Sequence, residues 1–457
     1  MIALDGTPVL TVAQMRAAEE TAFAAGTRPM ALMRQAGAAV AVAVGRLAGA
    51  NEILVLCGPG NNGGVGYVAA ARLAAMGKKV RVAALADPDS EQALEARAGW
   101  AGPIEPLADA RPAPVVVDAL FGIGLSRPLA DEHLAALRRL VAAAMLSIAV
   151  DVPSGVGTDD GTVPGDLPRF DVTLALGAAK PAHVLQPAAA YAGEVRLLPL
   201  AIDVGSDVSI LSAPQLSPPA VDAHKFSRGM VAVVRGRMTG AAQLAAEAAM
   251  HAGAGYVALL GATIPEAPHA LVRRRFDPAA LSDSRIGALV VGPGLGRDDA
   301  IREVLAATLA TDWPLVVDGD ALHLVSAETI AARRAMTILT PHAGEFAAMF
   351  GAVEGSKLAA TRAAARRSGA VVVHKGPDTV IAAPDGRIIC AMAASSWLST
   401  AGSGDVLAGA IAAMLAGGRD AIDAAAAGVW LHAAAAQYLR GPFIADDLAR
   451  ALAAVRA

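Results

Sequence analysis

The stretch from Ser399 to Gly409 reads S-T-A-G-S-G-D-V-L-A-G, a glycine-rich turn that leads into an apolar run. Gly402 and Gly404 let the backbone bend tightly and approach a ligand closely. The run after Asp405 predicts a helix whose free N–H groups point back at the bend, where they favour phosphate oxygens. Because Asp405 is placed to accept a proton from a substrate hydroxyl, the stretch indicates phosphoryl transfer to a hydroxyl. A serine-capped helix whose small residues serve only close packing fits the same letters, since short glycine motifs often match by chance.

Two further stretches of the same half support a nucleotide site. V-V-V-H-K-G-P-D-T-V-I-A-A, from Val371 to Ala383, predicts two strands joined by a tight turn, with Lys375 where it could meet a phosphate. T-I-L-T-P-H-A-G-E-F, from Thr337 to Phe346, predicts a strand that runs into another turn. With G-P-G-L-G at 292–296 and a helical tail, this order resembles the ribokinase-like superfamily. Within it, the chain from about residue 224 onward is most similar to the ADP/ATP-dependent NAD(P)H-hydrate dehydratases.

The resemblance implies ADP-dependent dehydration of a hydrated nicotinamide dinucleotide, with Mg²⁺ and with Asp405 as the catalytic residue. In that reaction the ring hydroxyl is phosphorylated, phosphate leaves, and the double bond of the dihydronicotinamide is restored. Asp318 and Asp320 could position magnesium through water or could only cap turns, and His342 could equally be structural. The residues implied to bind the substrate are Ala241, Gly294, Gly296 and His342, and those implied to bind the nucleotide are Lys375, Gly376, Pro377, Asp378, Thr379 and Gly404.

The N-terminal half alternates apolar strands with helices, which predicts a parallel sheet covered on both faces and ligands bound at the carboxyl ends of the strands. The fold class is therefore α/β with two domains, a Rossmann-like doubly wound sheet in residues 1–204 and a ribokinase-like α/β domain in residues 222–457. Residues 205–221, rich in Ser, Pro and Asp, are interpreted as the linker. The predicted elements of the first half are helices at 11–25 and 29–47 and strands at 53–57, 80–85, 115–120, 147–152, 172–176 and 195–200, with a glycine loop and a helix ending at 76 after the first strand.

Three predicted strand ends carry polar and glycine-rich loops: G-P-G-N-N-G-G-V-G at 58–66, D-A-L-F-G-I-G-L-S-R-P at 118–128 and D-V-P-S-G at 151–155. Such strand ends face one crevice, so Asn62, Asp118 and Ser154 could supply oxygen ligands to one ion. Oxygen ligands with little charge suit potassium better than zinc. Any single loop could instead be a turn selected for tightness.

Together the three loops resemble the NAD(P)H-hydrate epimerase domain, also called the YjeF N-terminal domain, over about residues 11–200. The resemblance implies that Asp151 faces the substrate as a catalytic residue and that Asn62, Asp118 and Ser154 hold K⁺. Val65 departs from the pattern, because the family has an aspartate at that position. Lys180 could also reach the crevice, but it is interpreted as a solvated lysine at a strand end. The residues implied to bind the substrate are Asn61, Asn62, Gly63, Gly64, Val65, Gly66, Gly122, Ile123, Gly124, Leu125, Ser126, Arg127 and Pro128.

Composition limits the possible partners. A formal net charge of −4 without a basic block indicates no nucleic-acid or anionic-membrane surface, and the apolar runs are too short to span a bilayer. No signal peptide is visible, and two cysteines, Cys57 and Cys390, suit free thiols in a reducing cytoplasm. These features suit a cytoplasmic protein. The family resemblance implies a homo-oligomeric enzyme (tetramer or larger) that epimerises NADHX and NADPHX and dehydrates the S form with ADP. The alternatives are a small-molecule kinase of the ribokinase superfamily and a first half that binds dinucleotide without catalysis.

Overall fold

The computed structural model describes residues 1–125, 127–261 and 268–456. The chain forms two compact units, the first unit from Met1 to Ile210 and the second unit from Leu211 to Ala457. Their boundary falls inside the segment predicted as a linker.

The first unit is built on a seven-stranded sheet in the order β3-β2-β1-β4-β5-β6-β7, with every neighbouring pair parallel. From β1 the chain adds strands first toward one edge of the sheet (β2, β3) and then toward the other (β4 to β7). The boundary between β1 and β4 is therefore the topological switch point, where open α/β sheets bind ligands. The elements are α1 (Val12–Ala24), α2 (Pro29–Leu47), β1 (Ile53–Cys57), α3 (Asn61–Ala75), β2 (Val80–Ala84), α4 (Glu91–Ala98), β3 (Ile104–Pro106), β4 (Val115–Ala119), α5 (Asp131–Ala142), β5 (Leu146–Val150), β6 (Val172–Leu176), β7 (Glu194–Leu198) and β8 (Val208–Ile210).

Both faces of this sheet are covered, as expected for β1, whose letters are all apolar, and for β4, in which Asp118 is the single polar residue. Val55 and Cys57 of β1 pack with α2 and α3 on one face, whereas Leu54 and Leu56 pack with α5 on the other. The predicted helices and strands are found with their ends shifted by at most two residues. Helix α1 has the predicted capping box, in which Thr11 and Gln14 satisfy each other's backbone N–H groups.

The short strand β8 lies inside the predicted linker. It bonds to the N-terminal segment, where the N–H of Val9 donates to the carbonyl of Val208 at 2.9 Å and that of Ile210 donates to Thr7 at 2.9 Å. Regular structure therefore extends further into the segment at 205–221 than its composition indicated.

In the second unit a sheet runs in the order β11-β10-β9-β12-β13-β14-β15-β16-β17, parallel from β11 to β15 and antiparallel beyond it. The elements are β9 (Met230–Val234), α6 (Thr239–His251), β10 (Tyr256–Leu260), β11 (Val272–Arg274), β12 (Ala288–Val291), α7 (Asp299–Leu309), β13 (Leu315–Val317), α8 (Ala327–Ala331), β14 (Thr337–Leu339), α9 (Ala343–Phe350), α10 (Lys357–Ser368), β15 (Val371–His374), β16 (Val380–Ala382), β17 (Ile388–Cys390), α11 (Ser403–Ala416), α12 (Ala421–Leu439) and α13 (Ala445–Arg456).

Helix α11 is the central helix of the second unit. Every residue from Val406 to Leu415 is buried, which is typical of a helix that is apolar all round. Glycine permits the closest contacts, because a Cβ on Gly409 would lie 2.0 Å from the carbonyl oxygen of Ala245 in α6. In the part of the chain that the structure describes, no helix is long and apolar enough to cross a membrane.

Candidate active sites

A cleft of about 760 Å³ opens at the switch point of the first unit. Its walls come from the start of α3, from the segment after β4 and from Asp151, which directly follows β5. This is the crevice that the three sequence loops predicted. The predicted substrate-binding residues that line it are Asn61, Asn62, Val65, Gly122, Ile123, Gly124, Leu125 and Arg127.

Asp118 and Ser154 form a buried oxygen cluster beside this cleft. Asp118 accepts hydrogen bonds from the hydroxyl of Ser154 at 2.8 Å, from its N–H at 3.0 Å and from the N–H of Leu120 at 3.1 Å. Burial raises the pKa of Asp118 to about 6, and these hydrogen bonds oppose the shift. Among the described residues, no cationic side chain lies within ion-pair distance of Asp118. A buried carboxyl with oxygen neighbours and no counter-charge suits a monovalent cation.

Gly122 brings the side chains of Asn62 and Asp151 close to one point. A Cβ added at Gly122 would lie 3.3 Å from Asn62 Oδ1 and 3.3 Å from Asp151 Oδ2. The amide nitrogen of Asn62 donates to the carbonyl of Val150 at 3.4 Å, and the amide oxygen of Asn62 is the atom that faces Gly122. The candidate cation ligand Asn62 and the candidate catalytic group Asp151 therefore share one small region of the cleft.

Asp151 is held in an unusual conformation by a buried lysine. Its φ is 69°, in the left-handed region that non-glycine residues rarely adopt. Lys180 Nζ lies 2.5 Å from Asp151 Oδ1 and donates to the carbonyl of Leu176 at 2.6 Å. The interpretation of Lys180 as a solvated lysine is wrong, because its side chain is 1% exposed. A buried ammonium needs a counter-charge, and Asp151 supplies it.

Replacing Lys180 with methionine should leave a buried carboxylate without its partner. We expect Lys180→Met to lower the free energy of unfolding by about 3–5 kcal/mol, measured by urea denaturation. The exposed Lys79→Met is the matched control and should change little. If the double variant Asp151→Asn/Lys180→Met were no more stable than Lys180→Met, the unpaired charge would not be the cause.

The sequence N-N-G-G-V-G, predicted as a loop, is instead the beginning of helix α3. The helix starts at Asn61, so the loop interpretation of 61–66 is wrong. Gly63, Gly64 and Gly66 are buried and are used for packing: a Cβ on Gly63 would lie 1.8 Å from the carbonyl oxygen of Gly58, and one on Gly66 would lie 2.8 Å from Ala119 Cβ. A Cβ on Gly64 would lie 2.7 Å from Met33 Sδ in α2, so all three positions are closely packed, and the substrate contacts implied for them stay predictions.

The two glycine runs of the first unit should therefore respond differently to alanine. We expect Gly63→Ala to lower the free energy of unfolding by about 3 kcal/mol, since its Cβ meets backbone that cannot move aside. Gly124→Ala should leave stability unchanged, because nothing lies within 4 Å of its added Cβ. Thermal and urea unfolding of both variants measure the difference, and equal stabilities would contradict the packing role of Gly63.

Glu19 is a cleft residue that the sequence did not reveal. It lies in α1 and lines the same cleft as Asp151 and Lys180. Burial first, and then the charge of Asp151, raise the pKa of the Glu19 carboxyl. A carboxyl of this kind is suited to holding a proton.

Two substrate contacts predicted for the first unit remain to be placed. Pro128 is exposed, and Ser126 lies outside the described residues.

Asp405 lies in the first turn of α11 in the second unit. Gly402 precedes this helix with φ of 88° and has no side chain to cap it, which leaves the N–H groups of the first turn for a ligand. Burial first, and then the charge of Asp318, raise the pKa of Asp405 to about 7, although Lys375 opposes the shift. A carboxylate with this pKa is matched to general-base catalysis near neutral pH.

Lys375 lies within ion-pair distance of two carboxyl groups at this site. Its Nζ lies 2.7 Å from Asp318 Oδ1 and 3.9 Å from Glu345 Oε2. Burial lowers the pKa of Lys375, but Asp318 and Glu345 outweigh it and the net shift is upward, so the ammonium stays charged. A Cβ on Gly404 would lie 3.3 Å from Lys375 Nζ, and glycine leaves that space open. The geometry places a fixed positive charge beside the free N–H groups of α11.

His342 has a structural role as the cap of α9. Its Nδ1 accepts from the N–H groups of Gly344 and Glu345 at 3.0 and 3.2 Å, and the Glu345 carboxylate accepts from the N–H of His342 at 2.8 Å. This is a reciprocal capping box. The ring's other nitrogen, Nε2, lies 3.4 Å from Glu345 Oε1, although the side chain as a whole is 59% exposed.

The predicted nucleotide turn at 375–379 is tied together by its own side chains. Thr379 Oγ1 donates to the carbonyl of Gly376 at 2.7 Å, and Asp378 pairs with Lys357 at 2.7 Å. Asp378 is buried and therefore shapes the turn, while Gly376 and Pro377 are exposed.

Two of the predicted substrate residues of this unit pack against each other. Gly294 is buried, and a Cβ added to it would lie 2.9 Å from Ala241 Cβ.

The carboxylates considered for magnesium already have partners. Asp320 accepts hydrogen bonds from the N–H of Gly296 at 2.9 Å and from Arg297 Nε at 2.9 Å. The backbone N–H of Gly296 is therefore already used within the protein. Asp318 accepts from Thr340 at 2.7 Å in addition to its Lys375 contact. Over residues 1–125, 127–261 and 268–456, no group of three or more His, Cys, Asp or Glu side chains is arranged to hold a metal ion. Magnesium would therefore have to enter with phosphate oxygens.

Known proteins match both units. The family model described as NAD(P)H-hydrate dehydratase matches residues 231–454, and the one described as YjeF-related protein N-terminus matches residues 29–182. A bifunctional NAD(P)H-hydrate repair enzyme from Thermofilum pendens is 36% identical and is aligned over 90% of this chain and 88% of its own length. The chain belongs to the family of bifunctional NAD(P)H-hydrate repair enzymes. A second member of this repair-enzyme family, from Mycobacterium tuberculosis, is 35% identical over 87% of this chain and 86% of its own length.

Family membership confirms both resemblances drawn from the sequence and the two-domain α/β fold class. Among solved structures, an ADP/ATP-dependent NAD(P)H-hydrate dehydratase from Bacillus subtilis, co-crystallised with ATP and Mg²⁺, is 28% identical. The match covers 52% of this chain and 92% of that one, with a TM-score of 0.47. The repair-enzyme family thus spans both units, whereas this solved structure matches about half of the chain.

Proposed function

We propose that the first unit interconverts the R and S epimers of NADHX and NADPHX, and that the second unit dehydrates the S epimer to NADH or NADPH with conversion of ADP to AMP and phosphate. The observation that carries the proposal is Asp405, a carboxyl with a pKa of about 7 at the uncapped start of α11 and near Lys375. A base, a fixed cation and free N–H groups are what phosphoryl transfer to a hydroxyl requires.

In the second unit, Asp405 takes the proton of the ring hydroxyl as the hydroxyl oxygen bonds to the terminal phosphorus of ADP and AMP leaves. Lys375 and the N–H groups of α11 stabilise the negative charge on the transferred phosphoryl group. The carbon–oxygen bond then breaks, phosphate departs with the bonding electrons, and loss of a ring proton restores the double bond. Mg²⁺ bound with ADP would neutralise phosphate charge, and Asp318 is the carboxylate that could hold it through water.

In the first unit, Asp151 and Glu19 provide two carboxyl groups with different environments in one cleft. Lys180 pairs with Asp151 at 2.5 Å, whereas burial first, and then the charge of Asp151, raise the pKa of Glu19. Such a pair can exchange a proton with the hydrated ring carbon or its hydroxyl. The donors of Asp118, Ser154 and Asn62 suit K⁺, which would supply positive charge to the buried Asp118. Val65 lines the cleft from α3 and contributes an apolar contact where the family has a carboxylate.

The test is recovery of absorbance at the reduced-nicotinamide band when the protein meets an epimer mixture of NADHX with ADP, Mg²⁺ and K⁺. We expect one fast phase for the S epimer and a second phase for the R epimer that is faster than spontaneous exchange. Omission of ADP should abolish both phases. No ADP-dependent recovery would contradict the dehydratase and favour a small-molecule kinase.

The second phase alone tests the first unit. Replacement of K⁺ by tetramethylammonium should slow recovery of the R epimer to the spontaneous rate and leave the first phase unchanged. An R phase that equals spontaneous exchange even in K⁺ would mean that the first unit binds dinucleotide without catalysis. In that case Val65→Asp is the variant that would restore activity if the missing carboxylate were the cause.

The proposal also includes assembly into a homo-oligomer, a tetramer or larger, as the family resemblance implies. Multi-angle light scattering of the purified chain tests this, and a monomer over the micromolar range would contradict it.

A further inference from the structure

The second unit has a groove lined by three arginines, Arg228, Arg419 and Arg456, which we call the basic groove. Two adjoining cavities of about 400 and 210 Å³ form it. Both are lined by Arg228 and Arg456, and Arg419 lines the smaller one. The cavities also share Ser217, Gly253 and Gly417, which makes them parts of one continuous surface.

The basic groove lies away from the nucleotide site. Arg228 precedes β9, Gly253 precedes β10, and Gly417 follows the last residue of α11. Asp405, in contrast, lies in the first turn of the same helix. A helix of 14 residues is roughly 20 Å long, so the two sites lie at opposite ends of α11 and at opposite edges of the parallel strands. None of the catalytic steps proposed above involves this edge.

The arginines are held in place without being neutralised. Arg228 Nη2 donates to the carbonyl of Gly253 at 3.1 Å, and Arg419 donates to the carbonyl of Gln215. Arg456 Nε is buried and has no hydrogen-bond partner. Within the described parts of the chain, none of the three guanidinium groups forms an ion pair, although the exposed carboxylate of Asp222 also lines the larger cavity. Three positive charges therefore face the groove against one exposed negative charge.

Collecting like charges in this way costs free energy that a bound anion would offset. Burial first, and then the charges of Arg228 and Arg419, lower the pKa of Arg456. Gly253 makes room for this arrangement, since a Cβ there would lie 2.5 Å from Arg456 Cζ and its φ is 110°. The backbone is thus shaped to admit the Arg456 guanidinium to a position where it lacks a partner.

We propose that the basic groove binds a phosphate-class anion, with a ligand that carries two linked phosphoryl groups as the best fit. Guanidinium groups present planar pairs of donors that match phosphate oxygens, and Arg456 has an unused buried donor. Two adjoining cavities with three positive charges match two linked anionic groups better than one. Binding here does not depend on the proposed repair reaction.

Isothermal titration of the full chain with inorganic diphosphate, at constant ionic strength, tests the proposal. We expect Arg456→Gln and Arg228→Gln each to weaken binding at this site by about tenfold, the loss of one charge-assisted hydrogen bond. Arg334→Gln, an exposed arginine of the same unit, is the matched control and should bind as the unsubstituted chain does. Lys375→Gln removes the cation of the nucleotide site and should leave binding in the basic groove intact.

Binding that Lys375→Gln abolishes and the groove variants retain would place diphosphate at the nucleotide site and overturn the proposal. Absence of binding in the unsubstituted chain, or equal binding of citrate at the same ionic strength, would also overturn it. Thermal unfolding measured without anion checks that each variant is folded. Because Arg→Gln relieves like-charge repulsion, the groove variants should melt no lower than Arg334→Gln. Diphosphate should raise the melting temperature of Arg334→Gln by more than that of the groove variants. If one groove variant is unstable, Arg419→Gln, which lines the smaller cavity, gives the same readout.

Discussion

Asp405→Asn is expected to lower the kcat of ADP-dependent dehydration by about a thousandfold, the usual contribution of a positioned general base. Asparagine preserves the size of the side chain and its place in the first turn of α11, but it cannot accept the hydroxyl proton. The affinity for ADP should change much less, because Lys375 and the helix N–H groups remain. The measurement is the first-phase rate with the S epimer of NADHX at saturating ADP.

The pH dependence of the unsubstituted enzyme should report the same carboxyl. Because the reaction needs the ionised base, kcat/KM should rise with pH through about 7 and then level off. Asp405→Asn should remove this rise from whatever activity remains. A profile centred near the ordinary aspartate value of 3.8 would contradict the assignment of Asp405 as the base.

Thermal stability provides the control for Asp405→Asn. The direction in which stability changes with pH follows from the linkage between proton binding and folding. The pKa of Asp405 is raised in the folded state, so the folded protein binds this proton more tightly than the unfolded chain does. The stabilisation is complete below 3.8 and is lost as pH rises through about 7. At about pH 8 the buried carboxylate is a net cost, and Asp405→Asn should melt no lower than the unsubstituted chain. Lost activity together with a lower melting temperature at that pH would indicate misfolding instead.

In the first unit the sequence was sufficient to predict every strand of the sheet except the short edge strand β3, and the edge of the sheet where ligands are expected to bind. Apolar runs such as I-L-V-L-C and V-V-V-D-A read as buried parallel strands, and they form β1 and β4. The polar residues that directly follow such runs must then meet at one edge of the sheet. Asp151 occupies such a position, directly after β5, whereas Asp405 lies in the first turn of α11.

The start of α3 could not be predicted because its letters favour a turn. Glycine lowers helix propensity by about 1 kcal/mol per residue, and 61–66 contains three glycines. The structure forms a helix there because those glycines let α3 approach β1 and β4 closely. A Cβ on Gly66 would lie 2.9 Å from Cys57 Sγ, so packing between distant residues outweighs the local preference.

The ion-pair partners of charged residues could not be predicted either, because they come from distant parts of the chain. Lys180 pairs with a residue 29 positions earlier, and Lys375 with one 57 positions earlier. A lysine after a strand resembles a solvated lysine until the fold brings a carboxylate to it. The same limit explains why Glu19 was missed, since only the packing of α1 over the cleft brings it near Asp151.

Asp151→Asn is expected to abolish epimerisation while dehydration of the S epimer continues. The R fraction of NADHX should then recover only at the spontaneous exchange rate, and the first phase should keep its amplitude and rate. The physical reason is that the amide cannot accept a proton at the ring, although it retains the shape of the carboxylate and can keep the left-handed backbone.

The same substitution removes the counter-charge of Lys180, so folding must be tested separately. The Lys180 side chain is 1% exposed, so burying it without a counter-charge is costly, and the folded unit should persist at reduced stability. Asp151→Asn/Lys180→Met removes both charges and should recover stability without recovering epimerisation. If the double variant regained the R phase, Asp151 would serve only to hold Lys180, and the proton transfer would have to be assigned to Glu19, the other carboxyl of the cleft.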